Sequence, residues 1–271
     1  MTRFIANARM YAVTADAEAV WRGLLQHVAQ DAEVDFDYLP YPAPQPLEHL
    51  WRRPDLGCVH MCGYPIALKI ADVVPLAAPI PAMPWANGAA VYRSDLIVRA
   101  DAPYHSLADT FGGRAGWTVE HSHSGFNAFR HHLLGYRTAA RPRLYREVVG
   151  HLVTARRILD SVRDGSIDVG PLDAYWHALI AKHQPELTTG VRVIESTALA
   201  PMPAFIAAPA LPHDAVGRLK AAFASASTRP WFQRFGEALL IEGFTPVDLA
   251  SFTTTLAWDN AAHDAGYPAP A

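Results

Sequence analysis

Two periodicities of apolar positions run through this chain. Behind Thr14-Ala15-Asp16, the residues Ala17, Val20, Trp21, Leu24, Leu25 and Val28 recur at helical spacing and predict an amphipathic helix with a capped start. At residues 34–39 the period shortens to two, with Val34, Phe36 and Tyr38 on one side and Asp35 and Asp37 on the other, as a half-buried strand requires. Residues 56–61 read as another buried strand and 73–78 as an apolar one. Residues 9–13 are a further strand candidate, and 45–53 a short helix beyond the proline-rich turn at 40–46. Strands alternating with helices in this way predict a parallel sheet in an α/β lobe.

Further along, residues 79–87 form a loop with three prolines and Trp85. Residues 88–99 then read as one long strand, a short helix starts at Ser106, and 114–119 is a strand. Strands at 145–149 and 167–169, a helix at 151–163 and a helix at 174–182 come next. Strands are expected at 191–196 and 204–208, and helices at 213–225, 230–238 and 249–260. The proline- and alanine-rich tail at 266–271 is expected to be loose.

The composition is that of a globular chain, with 51% hydrophobic residues, 18% charged residues and a formal net charge of -3 over 271 residues. That balance argues against a general nucleic-acid surface, and the group Arg137, Arg141, Arg143 and Arg146 reads as a solvated face. No apolar run is long enough to span a bilayer. Residues 1–10 lack the charged, apolar and small-residue pattern of a secretory signal, so the expectation is a removed signal or a cytosolic protein. Cys58 and Cys62 are expected to be buried free thiols, since an extended chain between them separates them too far for a disulfide.

Candidate chemistry concentrates in Glu120-His121-Ser122-His123-Ser124-Gly125-Phe126-Asn127, at the head of a helix. A helix start leaves N–H groups without intrahelical partners and carries partial positive charge. Serines there either cap the helix or turn their hydroxyls towards a bound anion. His121, His123, His131 and His132 invite a metal reading, but the two pairs lie roughly 10 Å or more apart along the helix, too far for one ion; no metal or other cofactor is expected.

The order of motifs carries a resemblance. It runs from Tyr92-Arg93-Ser94-Asp95-Leu96-Ile97-Val98 through Ser106-Leu107-Ala108-Asp109 and Phe111-Gly112-Gly113-Arg114. Ser122-His123-Ser124-Gly125, Gly150-His151 and the stretch 164–170 with Asp173 complete it. This series resembles the phosphonate-type substrate-binding proteins of ABC transporters, within the type II periplasmic binding proteins. The resemblance implies an α/β fold of two lobes, with mixed sheets flanked by helices and two crossing hinge segments near 88–91 and 196–201. Lobe one would comprise 1–87 plus 201–271 and lobe two 88–200, closing around a ligand cleft between them. It further implies that Ser122, His123 and Ser124 grip the anionic group, that His151 and Asp173 line the facing wall, and that Tyr11, Tyr64 and Tyr92 complete the pocket. Trp85 and Trp176 are candidate pocket walls. His123 departs from the small hydroxyl residue expected between the serines, and either adds a cationic contact or narrows the site.

Each role has a plainer counterpart. His151 fits a capping or packed histidine, Asp173 an N-cap for the next helix, and Trp176 and Tyr175 core packing. Ser122 or Ser124 with His151 and Asp173 also names the members of a hydrolytic triad, but no Gly-x-Ser-x-Gly elbow is present. A pyridoxal enzyme of related fold would need a lysine motif, and Lys69, Lys182 and Lys220 sit in none. The expectation is therefore a monomeric solute-binding protein, not an enzyme. It would capture a phosphonate- or phosphate-like anion for ABC-type uptake, with a permease as partner and the periplasm as compartment by resemblance. A sulfonate or a thiamine-related pyrimidine is the alternative solute.

Overall fold

The computed structural model describes residues 3–271, which divide into two compact units: 3–91 with 201–253, and 92–200 with 254–271. The chain thus changes unit at 91/92, 200/201 and 253/254. Residues 254–271 fold with the second unit, whereas the sequence reading grouped 201–271 with the first.

The first unit is built on a six-stranded sheet in the order Ile241–Thr245, Val74–Pro81, Ala204–Ala207, Leu56–Met61, Phe4–Asn7, Phe36–Tyr38. Phe4–Asn7 runs parallel to both its neighbours. Ala204–Ala207 is antiparallel to Leu56–Met61 and to Val74–Pro81, and Ile241–Thr245 is antiparallel to Val74–Pro81. All six residues of Leu56–Met61 are buried, in keeping with a strand that is apolar but for His60. Helix Ala15–Ala32 starts where the Thr14 hydroxyl accepts the Ala17 N–H at 3.0 Å, and buries Ala17, Trp21, Leu24, Leu25, Val28, Ala29 and Ala32. It packs on helices His213–Ser225 and Phe232–Leu239. Gly23 makes the second contact possible, because a Cβ there would stand 2.8 Å from the Phe235 ring.

His60 lies at the centre of this core, 1% exposed. Its ring stacks on Phe205 with centroids 3.7 Å apart and meets the edges of Tyr11 and Trp21 at 5.2 and 5.1 Å. Neither ring nitrogen has a hydrogen-bond partner among the described residues, and burial lowers its pKa to about 3. Cys58 and Cys62 are free and buried.

The second unit holds a three-stranded antiparallel sheet, Val191–Ser196, Ser94–Arg99 and Gly170–Asp173, and a parallel pair, Arg114–Gly116 with Glu147–Val149. Its core gathers Leu96, Val98, Leu107, Ala115, Phe129, Leu133, Leu144, Tyr145, Val169 and, from the C-terminal segment, Tyr267.

Several expectations move. The strand expected at 9–13 is a 3-10 turn, Arg9–Tyr11, because the Asn7 side chain accepts the Arg9 N–H at 2.9 Å and turns the chain after Phe4–Asn7. Residues 88–99 break into Val91–Tyr92 and Ser94–Arg99 after left-handed backbone at Asn87 and Gly88. The helix expected from His151 begins at Ala155, capped by Thr154, since His151 and Val153 hold φ of 54° and 68°. The strand expected at 167–169 lies at Gly170–Asp173, and Ile241–Thr245 has no counterpart in the sequence reading. The tail is packed: Leu144 N–H donates to the Ala271 carbonyl at 2.9 Å and the Tyr267 hydroxyl donates to it at 2.6 Å.

Candidate functional site

The serine segment belongs to the second unit. Ser122 is extended (φ -79°, ψ 127°) and its hydroxyl accepts the Gly125 N–H at 3.0 Å, capping the helical turn behind it. The helix opens as a wide five-residue π turn, His123–Asn127, closed by Asn127 N–H to the Ser122 carbonyl at 3.0 Å, before helix Ala128–Leu133. Such turns widen a helix locally and recur at functional sites. Two elements hold this one. Thr118 N–H donates to the Gly125 carbonyl at 3.1 Å, and the Ser94 hydroxyl donates to the Ser124 carbonyl at 2.9 Å. The approach of Thr118 is so close that a Cβ at residue 125 would lie 2.0 Å from its Oγ1, which explains the glycine of the motif. Ser122 and Ser124 stay partly exposed.

His123 points the other way, 2% exposed. Its ring lies 5.9 Å from Tyr92 and 5.1 Å from Trp258, centroid to centroid, and burial, with the charge of His131 second, lowers its pKa to about 3. Burial thus favours its neutral form. Asn127 Nδ2 approaches His123 Nδ1 at 3.2 Å and donates to the Thr255 carbonyl at 2.8 Å. Asn127 Oδ1 accepts from Arg130 at 3.1 Å. Arg130, 1% exposed, pairs with Asp259 and donates to the Pro268 carbonyl at 3.0 Å.

His151 lies outside the helix it was expected to start, and Asp173 takes the N-cap place that was one of its two sequence readings. His151 is 70% exposed on a left-handed residue, its Nε2 3.3 Å from Glu120 and its ring 4.8 Å from Trp117. It is a loop residue, not the first residue of a helix. Asp173 ends its strand beside Ser94 and caps helix Ala174–His183, one carboxylate oxygen accepting Tyr175 N–H at 2.9 Å and Trp176 N–H at 3.0 Å. Its charge thus faces a helix N-terminus, which favours it. Among the described residues, no hydrogen bond joins Ser122 or Ser124 to His151, so the triad reading has no assembled geometry. Tyr92, Tyr175 and Trp176 are buried within the second unit.

In the first unit, Tyr11 and Tyr64 are also buried. Tyr11 packs its ring against His60 and its carbonyl accepts the Trp21 indole N–H at 3.2 Å. Tyr64 lies on the short helix Gly63–Ala67. Trp85 is half-buried in its loop.

Ser94, Glu120 and Asn127 lie in the segments singled out from the sequence but had no role of their own there, and Thr118 was not singled out. Asn127 stands four residues after His123, a helical spacing that pairs side chains, and was the one legible signal among them. A buried carboxylate likewise had no role of its own there: Asp95 accepts the Ser196 hydroxyl and faces His177 Nδ1, each at 3.0 Å. Among the described residues, no group of three His, Cys, Asp or Glu side chains is arranged to hold a metal ion, and no helix is long and apolar enough to cross a membrane.

Residues 12–252 match the family model of the periplasmic substrate-binding protein of phosphonate ABC transporters. No curated protein sequence matches the chain significantly. Among solved structures, a binding-protein component of an ABC phosphonate transporter from Pseudomonas aeruginosa is similar at 15% identity and TM-score 0.80, over 97% of this chain and 88% of that one. PhnD1 from Prochlorococcus marinus, in complex with methylphosphonate, is similar at 12% identity and TM-score 0.78, over 97% and 98%. The periplasmic aliphatic sulphonate binding protein SsuA from Escherichia coli is similar at 11% identity and TM-score 0.59, over 97% and 87%. At these identities the structural likeness concerns the fold, that of type II periplasmic binding proteins; with most of its length matched by the family model, the chain belongs to the phosphonate-type periplasmic substrate-binding proteins of ABC transporters.

Proposed function

We propose that this protein captures a small phosphonate- or phosphate-like anion, and that Ser122, Ser124 and the first-turn N–H groups of the π turn grip its oxyanion end. The observation that carries this reading is the helix start itself, with two partly exposed serines one residue apart on a turn braced by Thr118 and Ser94. A helix N-terminus offers oriented N–H donors and partial positive charge to an anion, and hydroxyl hydrogen bonds to a charged oxygen are among the stronger ones. His151, exposed beside Glu120, is the candidate for a second contact to the solute.

The family is one of solute-binding proteins rather than enzymes, it is periplasmic, and it works with a transporter permease. Within that frame the solute is the open choice. The test is isothermal calorimetry with methylphosphonate, inorganic phosphate and methanesulfonate. The reading expects saturable one-site binding of methylphosphonate or phosphate in preference to the sulfonate. Sulfonate preference, or no binding of any of the three, overturns it.

A further inference from the structure

The residue that most sets this serine turn apart, His123, faces away from solvent into a side-chain network that reaches the C-terminal helix. Asn127 is the junction of that network. Its oxygen accepts from Arg130, which fixes the amide's orientation. Its nitrogen then faces two acceptors, the Thr255 carbonyl at 2.8 Å and His123 Nδ1 at 3.2 Å. With Nδ1 accepting, the neutral imidazole carries its proton on Nε2. Arg130 is in turn neutralised by Asp259, and Trp258 stacks on His131 at 4.8 Å and lies against His123 at 5.1 Å. Thus Thr255, Trp258 and Asp259, on successive turns of helix Thr253–Asp264, all bear on the segment 123–131.

We propose that Asn127 and His123 are positioning residues for the serine turn, transmitting the placement of the C-terminal helix to the groups that grip the solute. The proposal rests on the anion-grip reading above for its consequence, but its structural half stands apart from any ligand. The π turn is closed by Asn127 N–H itself, so the residue that shapes the turn is also the one held by Thr255. Fixing a binding group through packed and hydrogen-bonded neighbours removes ordering cost on binding. The chain enters this helix from the first unit, through the turn Leu249–Phe252. There Phe252 is packed so closely on Gly63 that a Cβ on the glycine would stand 2.2 Å from its ring.

The test uses the full chain and two readouts. Asn127→Asp keeps shape and the Arg130 contact but turns both donated bonds into oxygen facing acceptor. Amide exchange, measured without ligand, should become at least tenfold faster in peptides covering 122–127 and 253–259, with helix Ala15–Ala32 unchanged as the control. Unchanged exchange in both peptides overturns the coupling. Calorimetry with methylphosphonate then compares two His123 variants. His123→Asn presents an acceptor near the place of Nδ1, and should hold exchange and affinity within about threefold of the parent. His123→Gln presents its polar end near the place of Nε2, and should lose tenfold or more. The opposite order would mean that His123 touches the solute directly, and overturns the positioning role. Should Asn127→Asp fail to fold, exchange in the His123 pair gives the same decision. If the parent protein binds neither methylphosphonate nor phosphate, the anion reading fails, and exchange alone decides the coupling.

Discussion

Arg130 and Asp259 form an ion pair across 129 residues of chain, with the Arg130 side chain 2% and the Asp259 side chain 13% exposed. Breaking such a pair from one side strands a buried charge, at a cost of about 3–5 kcal/mol. Asp259→Ala should therefore lower unfolding free energy by about that amount in urea titrations. Arg130→Met strands Asp259 instead, which is the more exposed partner and keeps His263 at 3.3 Å, and should cost less. Equal losses from the two would mean that the burial of the stranded partner does not set the cost.

Ser124→Ala should weaken methylphosphonate binding by about 1–3 kcal/mol, the worth of a hydrogen bond to a charged oxygen. Its side chain is partly exposed and the residue's carbonyl contact with Ser94 remains, so the thermal midpoint should hardly move. Calorimetry and a thermal scan on the same sample check both halves; unchanged affinity would remove Ser124 from the grip.

Gly125 and Thr118 should behave as a coupled pair. A methyl at 125 would meet Thr118 Oγ1 at 2.0 Å, so Gly125→Ala should be destabilising by overpacking, typically about 1–3 kcal/mol. Thr118→Ala deletes a buried hydroxyl that lacks a partner among the described residues, so by itself it should be nearly neutral. The double variant should recover much of the loss, which a double-mutant cycle in urea would measure. Simple additivity would mean that the clash is relieved by backbone movement instead.

His60 and His123 set the acid limb of stability. Burial lowers both to about 3, with a smaller push from His131 on His123. An unfolded imidazole titrates near 6.5, so between about 3 and 6.5 the unfolded chain binds more protons than the folded one. Stability from these groups is complete above that window and lost as pH falls through it, by up to about 1.4 kcal/mol per pH unit for each histidine. Urea midpoints should fall from pH 7 to pH 4. A folded His60→Leu variant should show a shallower decline; an identical slope would assign the acid sensitivity elsewhere.

Local pattern reached far into this fold. Helices Ala15–Ala32 and His213–Ser225 and strands Leu56–Met61 and Val191–Ser196 are written in their own residues, because a cap, an apolar face or a largely apolar run is a property of neighbours in sequence. The Ser122 cap was legible for the same reason. Local pattern could not supply the outcome at His151 and Val153, where left-handed backbone is imposed by hydrogen bonds from Leu152 N–H to Trp117 and from Val153 N–H to Thr118.

By itself, then, the sequence determined the alternation of strands and helices, the serine turn at a helix start and, through the order of its motifs, the family. Only tertiary structure decided which way each side chain of that turn faces. His123 turned inward because Asn127 and Trp258 await it there, and of the two places the sequence left open for Asp173 the fold fills the cap of its own helix. The C-terminal segment joined the second unit because a buried arginine more than a hundred residues earlier required a carboxylate, and Asp259 was the one that the folded chain brought to it. Burial and long-range pairing are sums over residues distant in sequence, and no window along the chain contains them.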